Sequence, residues 1–147
     1  MSAGSGALQL HLERVLPVRP ERAFEACAEA GRLAEWWGPA GFTAPRVDLD
    51  VQVGGQYRIE MQPPDAAAFH LRGEFLEVDP PRRLAYTFEW EEPDPDDRPT
   101  VVELSFLDLG GETRLVVDQG TFASEARLSL HEAGWTDTLD RLERYLT

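Results

Sequence analysis

Few side chains in this sequence are placed to do chemistry, and the best of them lie in its last third. His131 stands in an apolar stripe, one helical turn before Trp135. An imidazole among apolar groups can hydrogen-bond a ligand or exchange a proton near neutral pH. It can equally be a structural residue near a helix start, satisfied by solvent, Glu132 or Asp118, and nothing in the sequence sets a nucleophile or a carboxylate beside it. Gln119 shares the inward phase of Leu115 and Val117. A buried amide left unpaired costs roughly 1–3 kcal/mol. Gln119 therefore needs a ligand, a water or His131 as partner, or a strand end that reaches solvent. Tyr57, Tyr86, Phe88, Trp90 and Trp135 occupy inward positions on their elements. Part of such a set is ordinary core, and part can line a cavity, because ligand sites are mostly apolar with a few placed polar groups.

Other chemistries are poorly served. His11, His70 and His131 fall on different elements, and there is one cysteine, Cys27, with no H-x-x-H or C-x-x-C spacing. No metal site is expected, and no cofactor. Cys27 lies on the apolar side of a helix and reads as an inert core thiol. Gly54-Gly55 and Gly110-Gly111 are hairpin turns without a phosphate-loop pattern. Ser105, Ser124 and Ser129 have no nucleophile-elbow context.

The elements that must position these residues follow from periodicity. Leu8, Leu10 and Leu12 alternate with polar residues and begin a first strand, ended by Pro17 and Pro20. "PERAFEACAEAGRLAEWW" then reads as two short helices separated at Gly31 and closed by Gly38-Pro39. From Thr43 the period is two. "TAPRVDLDV", "QYRIEMQ", "FHLRGEFLEVD", "LAYTFEW", "TVVELSFLDL" and "TRLVVDQG" are six strands joined by short turns, hence antiparallel. Gly73, in the middle of the longest, marks a bulge or a sharp bend. "EEPDPDDRP" is expected to be a solvated loop tip. The last stretch carries Leu128, His131, Trp135, Leu139, Leu142 and Leu146 on one helical face, with a capping box at Ser129–Glu132 or a start as early as Ser124. The order implies an α+β fold: a curved antiparallel sheet of about seven strands wrapped around one long C-terminal helix. One helix cannot fill so wide a concavity, which leaves a hollow between them. Residues 1–7 read as a flexible lead, and residues 1–147 as one domain.

The totals agree. The 147 residues fit one domain with a sizeable core. The formal charge is −13, from 27 acids against 14 bases, all of them Arg. Such a surface repels nucleic acid. A single cysteine allows no intrachain disulfide. No apolar run approaches the roughly 20 residues of a membrane span. With no secretory pattern at the N-terminus, the cytoplasm is the expected compartment.

Several motifs in this order resemble a known family: "EWWGP" at Glu35–Pro39, "DVQVGGQYRIEM" at Asp50–Met61, "GEFLEVDPPRRLAYT" at Gly73–Thr87, "GGETRL" at Gly110–Leu115 and "HEAGW" at His131–Trp135. Together they are similar to the family named for an activator of a heat-shock chaperone's ATPase, within the START-like (SRPBCC) superfamily of helix-grip proteins, as a stand-alone bacterial member. The family often has Arg two residues after the Asp of its D-x-R-x-G-G turn. Here that place is Gln52, so no role of that Arg carries over. The resemblance implies a helix-grip fold and sets the short helices at the open end of the grip, with one of Trp36 and Trp37 facing inward. Fold alone does not fix the task. The first expectation is a small hydrophobic or amphipathic molecule held between sheet and C-terminal helix. Access would be near Trp37 and Phe42, and His131 and Gln119 would orient its polar end. The alternatives are a cyclase- or lyase-type enzyme using His131, and a co-chaperone-like interaction protein with a filled core. A homodimer stays open.

Overall fold

A computed structural model describes residues 8–147. The lead expected over residues 1–7 lies outside the described residues. The elements follow in the order β1 (Leu10–Leu16), α1 (Pro20–Ala28), α2 (Ala30–Leu33), β2 (Thr43–Leu49), β3 (Gln56–Gln62), β4 (Phe69–Asp79), β5 (Arg83–Trp90), β6 (Thr100–Asp108), β7 (Thr113–Gly120) and α3 (Glu125–Leu146). The seven strands form one antiparallel sheet in the order β1-β7-β6-β5-β4-β3-β2. All but one of the neighbours are consecutive in the chain. The exception brings β1 beside β7, with Leu10 opposite Gln119. This is the α+β architecture that the periodicity implies, and the helix-grip fold that the resemblance implies.

Alternation decides which side of the sheet is the core. Tyr57, Ile59 and Met61 of β3 are buried, as are Leu71 and Phe75 of β4, Leu84, Tyr86 and Phe88 of β5, Val102, Leu104 and Phe106 of β6, and Leu115, Val117 and Gln119 of β7. α3 lies across this face. Trp135, Thr138, Leu139, Leu142 and Leu146 are its buried residues. Its C-terminal half is tied to the β1 edge, where Arg14 Nη1 meets Asp140 Oδ1 at 2.8 Å and Glu143 Oε1 at 3.0 Å. The helix starts at the earlier of the two candidate positions. Ser124 is the N-cap, and its Oγ accepts from the Arg127 backbone N–H at 3.1 Å.

Gly73 is not the bulge of β4; it lies where the β4–β5 pairing skips from Arg72–Glu89 to Phe75–Tyr86. The register shift in β4 falls later, between Phe75 and Glu77. At Gly73 the Tyr57 ring lies where a side chain would stand; a Cβ would sit 2.6 Å from Tyr57 Cε2 and overlap the Thr87 carbonyl oxygen. That carbonyl accepts from the Tyr57 hydroxyl at 2.6 Å, and Thr87 Oγ1 accepts from the Glu74 backbone N–H at 2.8 Å. Side chains thus take over where the β4–β5 pairing is interrupted, as buried backbone groups require.

The two adjacent tryptophans follow α2, which ends at Leu33, one turn earlier than their helical spacing predicts. Both are buried, 2% and 7% exposed. Trp36 Nε1 donates to the Ala26 carbonyl at 3.0 Å and so pins the turn to α1. Trp37 turns the other way, edge-on to both Trp36 and Trp135 at centroid distances of 5.7 Å. Gly38 (φ +102°) makes the reversal that allows this, a conformation open to glycine and rarely to other residues.

Candidate functional site

The N-terminal half of α3 does not fill the space beneath it. Its C-terminal half presents Leu139, Leu142 and Leu146 to the core, but about one to three turns earlier the facing positions are Gly134, His131 and Arg127. A Cβ on Gly134 would find only Pro39 Cγ, at 3.9 Å. The result is a cavity of about 420 Å³. Its floor is Trp37, Trp135 and Thr138, and its walls are Met61, Phe69, Phe88 and Trp90 from the ends of β3, β4 and β5. Gly38, Pro39 and Phe42 close one side. Glu92, Asp94, Asp97, Arg127 and Leu130 form the mouth, where Leu130 is 59% exposed.

The walls are rigid. Trp135 Nε1 donates to Gln119 Oε1 at 2.8 Å, and Gln119 Nε2 donates to Thr100 Oγ1 at 2.9 Å, all within the buried interior. This relay fixes the Trp135 ring to β6 and β7. Phe69, Phe88 and Trp90 stack edge-to-face at centroid distances of 5.2 and 5.1 Å, and Phe42 meets Phe69 at 6.0 Å. Arg141 Nη1 donates to the carbonyls of Trp37, Gly38 and Pro39 at 3.0–3.1 Å, binding the 37–39 turn to α3. Trp37 Nε1 is sealed from solvent and has no hydrogen-bond acceptor among the described residues.

His131 sits against Phe122 (4.8 Å), Phe88 (5.5 Å) and Trp90 (6.2 Å, all between ring centroids). Burial among these rings lowers its pKa to about 4, an effect that the nearby Asp97 opposes and Arg127 reinforces. The imidazole is therefore neutral at pH 7, able to donate from one nitrogen and accept at the other. Asp118, considered above as its partner, is engaged elsewhere, with His11 at 2.6 Å.

The acidic segment after β5 is not the freely solvated tip its composition suggests. It folds back onto α3, where Arg127 holds three carboxylates: Asp94 at 2.6 Å, Asp96 at 2.9 Å and Asp97 at 3.4 Å. Asp96 also accepts from the Ser124 hydroxyl at 3.1 Å. Hydrogen bonding to Arg127 holds the Asp96 carboxyl below the usual carboxylate range. The side chains of Asp97 and Arg127 are only 9% and 16% exposed. The segment is thus a strap across one side of the mouth.

Of the nine side chains expected at a site, six meet at the cavity: Trp37, Phe42, Phe88, Trp90, His131 and Trp135. Tyr57 and Tyr86 do not. They sit further along the sheet, beside Gly73, around a void of only about 20 Å³ that Cys27, Trp36 and Phe75 also line. Burial raises the Cys27 thiol to about 12, so it is not a nucleophile at neutral pH. Gln119 is inward and 1% exposed, but both ends of its amide are taken, so its partners are Trp135 and Thr100 and neither His131 nor a ligand. Met61, Phe69, Gly134 and Arg127 also line the cavity and were not among the expected set. Met61 had the right inward phase; Arg127 and Gly134 carried no local signal.

Comparison with known proteins places this architecture. The sequence model of the activator of Hsp90 ATPase homolog 1-like protein family matches residues 17–147. The chain belongs to this family. Among solved structures, the family member AHSA1 (SPO3351) from Silicibacter pomeroyi is 30% identical, with a TM-score of 0.82 over 94% of this chain and 96% of that one. Protein CV1439 from Chromobacterium violaceum is 25% identical, with a TM-score of 0.86 over 95% of this chain and 96% of that one. CalU16 from Micromonospora echinospora, at 21% identity and a TM-score of 0.73 over 95% and 76%, shares the fold. No curated protein matches. No helix among the described residues is long and apolar enough to cross a membrane.

Proposed function

We propose that this protein binds a small, mainly apolar molecule in the cavity under α3, without chemical change to it. The cavity carries the reading: about 420 Å³, walled by aromatic side chains on rigid elements. That volume falls within the roughly 300–1,000 Å³ usual for small-molecule sites. Trp37, Phe42, Phe88, Trp90, His131 and Trp135 are the proposed contacts. Apolar desolvation, roughly 25 cal/mol per Å² before association costs, supplies the affinity. Neutral His131 is the polar group that orients the ligand, as donor or acceptor. A filled-core interaction protein predicts no such space. Membership of the family is compatible with the reading and does not by itself establish it.

The test is titration of the full chain with N-phenyl-1-naphthylamine, an uncharged probe that brightens in apolar surroundings. Three of the protein's four tryptophans line the cavity, so their emission should change in the same titration. Saturable brightening with a matching tryptophan response is the expected result. No response across this and other uncharged aromatic probes would overturn the proposal.

A further inference from the structure

We infer that the cavity selects hydrophobic cations: molecules with an apolar, aromatic-sized body and one ammonium group directed at the mouth. The inference rests on the proposed binding function and adds the charge of the ligand. It stands on two features of the same site.

The first is the wall. Trp37, Phe42, Phe69, Phe88, Trp90 and Trp135 surround the space. Their ring faces are electron-rich and attract an ammonium group, most strongly where water is excluded; one such contact is worth ~0.5–2 kcal/mol.

The second is the rim. Glu92, Asp94 and Asp97 line it, against a single cation, Arg127. Arg127 is already spent. Its Nε, Nη1 and Nη2 face Asp96, Asp97 and Asp94 at 2.9, 3.4 and 2.6 Å, and these bonds hold the strap in place. A carboxylate or sulfonate ligand would have to break them to reach a positive partner. His131, further in, carries no charge at neutral pH. Around the site the chain as a whole bears −13, which attracts cations to the mouth and slows the approach of anions. Three carboxylates against one guanidinium leave the rim net negative, which favours a positive head and opposes a negative one.

Three ligands with one naphthalene body test this: trimethyl(1-naphthylmethyl)ammonium, 1-naphthylmethanol and 1-naphthylacetate. Each is titrated calorimetrically into the full chain at pH 7.5 and low salt. The ammonium should bind about tenfold tighter than the alcohol, a gap equal to about two exposed-type cation–π contacts. The acetate should bind most weakly. Glu92→Gln with Asp94→Asn should shrink the ammonium-to-acetate ratio at least threefold, and raised salt should shrink it too; the thermal melt of the variant checks its fold. If the alcohol binds but the three affinities are equal, the acetate is tightest, or the double substitution leaves the ratio unchanged, the charge selectivity is wrong and the cavity reading stands. If none of the three binds, the cavity reading fails and takes this inference with it.

Discussion

Gly134 offers the sharpest separation of fold from binding. It lies in the interior of α3 and faces the cavity. Glycine in a helix interior costs about 0.8–1.0 kcal/mol relative to alanine, through backbone entropy. A Cβ there meets only Pro39 Cγ at 3.9 Å, an ordinary van der Waals distance. Gly134→Ala should therefore recover nearly the whole propensity difference, about 0.8 kcal/mol. For a chain of this length that raises the melting temperature by about 3 °C. One methyl group takes little of the 420 Å³, so uncharged probes should still bind. Gly134→Leu extends the side chain into the same space. Forcing atoms into an occupied site costs about 1–3 kcal/mol, so probe affinity should fall about tenfold or more while the protein stays folded. Calorimetric melts and probe titrations on the two variants give both numbers. A less stable Gly134→Ala would mean that the helix is packed closely there and the cavity is not open at Gly134. Unchanged probe binding in Gly134→Leu would place the ligand elsewhere.

Three further predictions follow from the same geometry. The pKa of His131 is depressed from 6.5 to about 4, so the unfolded chain binds a proton more readily than the folded one between these values. Stability should fall as pH drops from about 6.5 to about 4, and His131→Phe should flatten that part of the curve; identical pH profiles from urea melts would refute the assignment. Gln119→Leu leaves Trp135 Nε1 without its acceptor inside the core, and should cost about 1–3 kcal/mol in chemical denaturation, with a shift in tryptophan emission. A near-neutral effect would show the relay to be unimportant. Arg127→Met leaves Asp97 nearly buried without its partner and frees the strap. It should cost about 2 kcal/mol and speed amide exchange over residues 92–98, and slow exchange retained there would show that the strap does not depend on Arg127.

The fold was legible because its signals are local. Period-two alternation from Thr43 to Gln119 named the strands and their inner faces, and the 3-4 stripe from Leu128 to Leu146 named the covering helix. Alternation gives the face of a strand but not depth along it. Tyr86 and Phe88 have the same phase on β5, yet Phe88 lines the cavity and Tyr86 only a void of about 20 Å³. Which of them meets the open space depends on where the N-terminal half of α3 lies over the sheet, and tertiary packing sets that. Gln119 visibly needed a partner, but Trp135 is 16 residues on and was found only through packing. The strap was misread for a similar reason. Five acids and three prolines look like solvent-loving loop, and the residue that gathers three of the carboxylates is 30 or more positions later.

The three carbonyls gathered by Arg141, together with the Ala40 amide that donates to Asp137 at 3.3 Å, weld one jamb of the doorway to α3. The acidic strap is latched to the N-terminal end of the same helix by the Arg127 guanidinium and the Ser124 hydroxyl. Salt that screens the Arg127 pairs should therefore loosen the strap before the Arg141 side, whose three acceptors are uncharged carbonyls.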